Sequence, residues 1–168
     1  MAALLLVGMP LGSLAAGADA GKGLERVDLA PLAKGDAVLE VTTPSGPQAY
    51  DLATIEELGV YRLTTPSPYD DGSPTFEGVL LSDLLAKDGL ADAEGVELSA
   101  ADGYSQVIPR EDWESYPVLL ATRQDGAPLV DRGPLRIIYP ISGHPELAAE
   151  LYQPRWVWQI KSIKAVDR

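Results

Sequence analysis

The clearest patterning of apolar and polar positions runs from Thr75 to Pro109. Phe76-Glu77-Gly78 reads as a bulky anchor and a flexible joint. A short apolar helix follows, with Val79, Leu80, Leu84 and Leu85 on its buried face. Ser82 and Asp83 suit the start of that helix, and Gly89 can take the left-handed conformation that ends one. Val96-Glu97-Leu98-Ser99-Ala100 then alternates apolar with polar, which predicts a half-buried strand. Asp102-Gly103 turns the chain into a second strand over 104–108. The stretch is therefore a helix followed by a β-hairpin.

The same reading extends to both sides. Residues 37–43 (AVLEVTT) predict a strand that Ser45-Gly46-Pro47 turns toward a partner at 48–50. Residues 51–58 predict a short helix capped by Asp51 or by Thr54, the latter forming a capping box with Glu57. Gly59 ends it, 60–65 (VYRLTT) are rich in β-formers, and the proline-laden 66–74 form a loop. Further on, 110–116 suit one or two helical turns with Trp113 inward. A strand over 118–123 then turns at Asp125-Gly126 toward Leu129-Val130. Residues 135–139 (LRIIY) predict a central strand, 145–151 a short acidic helix and 156–166 a closing strand. The fold class expected is mixed α/β (α+β) and β-rich, with short peripheral helices.

The first twenty residues, MAALLLVGMPLGSLAAGADA, are apolar without a polar face, and Gly and Pro break the run too often for a stable bilayer span. They predict a signal peptide over 1–20 ending at Ala18-Asp19-Ala20, although no Lys or Arg precedes Lys22; an N-terminal membrane anchor is the alternative. Residues 21–36 are then a loose lead-in and 37–168 the folded domain. Export places the protein in the periplasm or outside the cell. With 46% apolar and 23% charged residues in 168, the chain has the composition of one globular domain. Its 25 acidic against 13 basic residues, a formal charge of −12, argue against nucleic acid and anionic lipid as partners.

There is no cysteine and a single histidine, His144. Disulfides, zinc–thiolate sites, iron–sulfur clusters and cysteine nucleophiles are thereby excluded. His144, in Ser142-Gly143-His144-Pro145, is either a general base or ligand or an ordinary loop residue. A Ser-His-Asp hydrolase would need a serine on a strained elbow, and no G-x-S-x-G occurs. Asp70-Asp71-Gly72-Ser73 lacks the alternating ligands and distal glutamate of a calcium loop and reads as a turn. Trp156 and Trp158 share one side of the expected closing strand and read as core.

Several motifs occur in order: FEGVLLSDLL (76–85), AADGY (100–104), DGAPL (125–129), GPLRIIYP (133–140) and WVWQIKSI (156–163). Together they resemble the oxidoreductase molybdopterin-binding domain, the sulfite oxidase fold, in a short single-domain bacterial form, from about Val38 to Val166. The resemblance implies a cofactor cleft between the loop after 60–63, the Pro-Leu-Arg strand and the closing tryptophans. Its rim here would be Thr64, Thr65, Tyr69, Arg132, Arg136, His144 and Arg155, a cationic cluster on an acidic chain suited to a small anionic or pterin-like molecule. Alternatively, the arginines pair with surface carboxylates. Molybdenum-bearing members carry a thiolate ligand after that strand, where this chain has Thr64-Thr65-Pro66. A threonine hydroxyl is a hard, barely acidic oxygen and cannot replace a thiolate.

No metal and no catalytic residue is therefore expected, with molybdopterin itself implied only by the resemblance. The reading is a non-catalytic periplasmic binding or sensory module, with a periplasmic or membrane sensor protein as partner. The alternatives are a molybdopterin-dependent oxidoreductase with non-cysteine ligation and a structural or partner-docking protein. Terminal sequencing of the exported protein should give a start at or near Gly21; intact Met1 on a membrane-bound product would refute the signal reading.

Overall fold

A computed structural model describes residues 23–166, and the expected signal segment lies outside them. In chain order the first elements are β1 (Leu24–Val27), β2 (Leu39–Thr43), β3 (Gly46–Tyr50), α1 (Leu52–Glu56) and β4 (Val60–Thr64). β5 (Thr75–Leu80), α2 (Leu81–Lys87), β6 (Gly95–Ala100), β7 (Ser105–Pro109) and α3 (Arg110–Ser115) follow. The chain continues through β8 (Leu119–Gln124), β9 (Ala127–Pro128), β10 (Arg136–Ile138), 3-10 helices at Pro145–Ala148 and Glu150–Arg155, and β11 (Ile160–Val166).

The strands form two sheets. One runs β1-β4-β5-β8-β10 with β9 on β8; the other runs β3-β2-β11-β6-β7. Every pairing is antiparallel except that of β11 with β2. Both sheets contribute to one buried apolar cluster, among them Leu63, Phe76 and Leu120 from the first and Val41, Leu98 and Ile163 from the second. A fully buried side chain such as Phe76 contributes roughly 1.5–3 kcal/mol relative to exposure.

Four local expectations are corrected. The segment read as a loose lead-in contains β1, which covers the edge of β4 in register Leu24↔Leu63. Beyond β1 the lead-in is tied down as well: the Gly35 N–H donates to Asp51 (3.0 Å) and Arg123 donates to the Ala30 carbonyl (2.9 Å). The second correction concerns 76–80, where strand pairing with β4 and β8 displaces the expected start of the helix. The helix begins only at Leu81, with Leu81, Leu84 and Leu85 buried and no side-chain cap from Ser82 or Asp83. Third, β10 ends its ladder rather than occupying the centre. It is nonetheless buried throughout, because the closing segment runs along its open side: Ile137 N–H donates to Val157 O (2.8 Å) and Arg136 bridges Trp158. Fourth, the closing strand starts at Ile160, not at 156, and 145–151 forms 3-10 helix rather than α-helix.

α1 is capped by Asp51, which accepts from Thr54 N–H at 2.7 Å; the Thr54–Glu57 capping box does not form. Hydrogen bonds from Thr54, and then from the Gly35 N–H, push the Asp51 carboxyl down to about 2.

Gly78 has a sharper role than a joint. A Cβ there would lie 2.1 Å from the Leu120 carbonyl oxygen and 2.6 Å from Ala121 Cα, both backbone atoms of β8. The register shifts at Glu77/Gly78, so the two strands touch main chain to main chain at this point. Gly78→Ala should therefore lower unfolding stability by at least about 2–3 kcal/mol, the scale of overpacking a rigid interior. Chemical denaturation checks this, and an unchanged midpoint would refute the close approach.

Candidate functional site

The loop between β4 and β5 decides what the expected cleft becomes. Ser67 bridges to Asp70, its hydroxyl donating to the carboxylate (2.7 Å) while also accepting from Tyr69 N–H (3.1 Å). This folds the loop into a tight turn that presents Asp70 inward. Arg136 donates through Nη2 to Asp70 Oδ2 (2.8 Å) and through Nη1 to Oδ1 (3.4 Å). Arg132 donates to the same Oδ1 (3.1 Å) and to the Tyr69 carbonyl (3.0 Å).

Arg136 is only 2% exposed, and its guanidinium also lies 5.1 Å from the centre of the Phe76 ring. Burial alone would push the Asp70 carboxyl up. Hydrogen bonds from Arg136 and Ser67, with the charges of Arg136 and Arg132, outweigh this and hold it below the ordinary value. Asp70 thus occupies the position an anion would take.

The remaining expected residues separate. Arg155 donates to both oxygens of the buried Asp112 (2.8 and 2.9 Å), which also accepts from Tyr139 (2.6 Å). Burial, then the charge and hydrogen bond of Asp112, push the Tyr139 phenol up, so it remains a donor. Thr65 is fully buried and accepts from Ser142 N–H (3.1 Å), which fastens the loop rather than lining a cleft. Thr64 points away to solvent and shares a hydrogen bond with Thr75 (2.8 Å). His144 is half-buried beside Glu146 (3.6 Å) and edge-on to Tyr116. The expected cationic rim is therefore corrected: Tyr69, Arg132 and Arg136 come together around Asp70, and Thr64, Thr65, His144 and Arg155 lie elsewhere. The arginines do pair with carboxylates, chiefly the part-buried Asp70 and the buried Asp112, while Arg132 also lies 4.0 Å from the exposed Asp131.

What does open beside this clamp is a cavity of about 240 Å³ with a largely aromatic wall. Tyr69, Tyr104, Trp156 and Trp158 line it, with Asp102 also contributing to the lining. Of the expected site residues, Tyr69 is shared. Trp158, read as core, is a half-buried wall of the cavity, while Trp156 is buried. Asp70, Asp102 and Tyr104 were missed as site residues. Their only local signals were two turn motifs, and neither indicates what lies opposite the turn.

A β-rich α+β fold with this element order defines a sulfite-oxidase-like molybdopterin-binding domain. The family model described as "Oxidoreductase molybdopterin binding domain" matches residues 71–165, and the chain belongs to that family. Among solved structures it is similar to the sulfane dehydrogenase SoxCD from Paracoccus pantotrophus. The TM-score is 0.61 and the identity 19%, over 83% of this chain and 40% of that one. The chain thus spans less than half the length of that protein. No curated protein matches in sequence.

The residues present do not fit the family's metal centre. The chain has no cysteine, and the threonine at the corresponding position is buried and committed to Ser142. Among the described residues no group of three or more His, Cys, Asp or Glu side chains is disposed to hold a metal ion. The cations that would meet a cofactor phosphate are already engaged: Arg132 and Arg136 share Asp70, and Arg155 pairs with Asp112.

Asp70→Asn should cost about 3 kcal/mol of stability, because it leaves the buried Arg136 without its counter-charge. The folded-state pKa of Asp70 lies below the unfolded value, so its contribution is fully present above about 3.8 and is lost as pH falls through the lower folded value. The variant should lack that part of the acid sensitivity. Denaturation midpoints measured from pH 6 to pH 2.5 check both statements.

Proposed function

We propose that this chain is an exported, non-catalytic binding or sensory module that keeps the molybdopterin-binding fold and uses the aromatic cavity as its ligand seat. The observation that carries this reading is the Asp70 clamp. An internal carboxylate holds the cations that the family resemblance would assign to an anionic cofactor, and the thiolate is absent from the whole chain. The accessible recess beside it is walled by aromatic rings and holds no Arg or Lys, so its ligand is a small molecule bound through an apolar or cationic body rather than an anion. A ligand seat without reactive groups suits reporting occupancy to a partner, and a periplasmic or membrane sensor protein is the class of partner that such a role requires.

Metal and pterin analysis of the protein purified from its own compartment tests this. Molybdenum far below one atom per chain and no sulfite-dependent electron transfer are expected. Stoichiometric molybdenum would overturn the reading in favour of an oxidoreductase with non-cysteine ligation.

A further inference from the structure

The shape and charge of the aromatic cavity narrow its ligand further, on the premise that it is the ligand seat. Tyr69 and Trp158 meet nearly at right angles, with ring centres 5.0 Å apart and planes inclined by 80°. Perpendicular walls form a corner. A flat heterocycle stacks best between parallel walls, whereas a corner suits a rounded group that presents positive charge to several π-faces.

The walls are also held in place. Tyr69 donates its hydroxyl to the Gln153 carbonyl and Tyr104 donates to the adjacent Pro154 carbonyl, each at 2.9 Å. Such pre-organisation lowers the ordering cost of binding. One cation already uses this surface: the Arg132 guanidinium lies 5.4 Å from the centre of the Trp158 ring. Its charge is offset by Asp70, shared with Arg136, and by Asp131 at 4.0 Å, so it does not set the sign of the cavity.

That sign comes from Asp102. It lines the cavity, is exposed, and uses Oδ1 to accept from Tyr104 N–H at 3.0 Å. No Lys or Arg lines the cavity to offset it. The chain as a whole, at −12, attracts cations.

From these features we infer that the cavity binds a methylated ammonium compound, its cationic head in the Tyr69–Trp158 corner near Asp102. A trimethylammonium head cannot donate hydrogen bonds, so aromatic faces replace its water at little cost, whereas a primary ammonium gives up a stronger hydration for little more than a contact with Asp102. This separates the class from ordinary amino acids.

The test is titration of the full chain with trimethylglycine, choline, glycine and a free pterin, followed by calorimetry or tryptophan fluorescence. Trimethylglycine should bind at least about tenfold more tightly than glycine. Trp158→Leu should weaken it roughly tenfold, and Asp102→Asn a few-fold. Choline, which shares the trimethylammonium head, should bind within a few-fold of trimethylglycine.

Glycine binding as well as trimethylglycine would overturn the assignment. So would a failure of trimethylglycine to bind. Pterin binding that depends on Trp158, with no response to trimethylglycine, would overturn this ligand class but leave the binding-module reading intact. Molybdenum in the isolated protein would overturn that reading whatever the titrations give.

Discussion

The carboxylate of Asp70, shared between Arg136 and Arg132, is the interaction on which the functional half of the molecule depends. Arg136 sits at the start of β10 with almost no exposure, and a guanidinium in that position is tolerable only beside a counter-charge with hydrogen bonds at good geometry. Asp70 supplies both from a loop 66 residues earlier in the chain. To do so the loop must fold back over β10, and in doing so it carries Tyr69 against Trp158. Closing the expected anion cleft and building the aromatic cavity are therefore consequences of one ion-pair cluster.

A second cluster has the same logic on the other side of the closing segment. Asp112, in the first turn of the helix after the hairpin, takes Arg155 and Tyr139. The segment between Arg155 and Ile160 is thus anchored before it runs along β10 and enters the second sheet as β11. Gln159 and Arg132 both have left-handed backbones, with φ of 52° and 55°, and Gln159 N–H donates to Arg132 O (3.2 Å). Non-glycine residues adopt that conformation at a cost of roughly 1–2 kcal/mol each, offset here by the bonds they make at the crossing between the sheets.

The family fold is kept here with several of its candidate site residues committed to internal contacts. Residues that would face a metal and a phosphate in the resembled site are used internally: Thr65 to hold the loop, Arg132 and Arg136 to hold Asp70, Arg155 to hold Asp112. Beside these contacts, aromatic side chains and Asp102 line the cavity.

Much of this was legible in the sequence. The hairpin turn at Asp102-Gly103, the break at Gly59, the presence of a helix ending before Gly89 and the β-rich class follow from local period and turn chemistry, which depend on neighbours a few residues away. The order of motifs identified the family, and the absence of cysteine removed the thiolate. Other features depend on partners far along the chain and left no local trace. Phe76 to Leu80 reads as the approach to a helix until β4 and β8 claim its backbone donors and acceptors. Leu24 to Val27 looks like a tail until β4 offers an open edge. Arg136 and Asp70 each look like surface charges in sequence. Burial, which only the assembled sheets impose, is what forces them together and turns an expected anion site into a closed one.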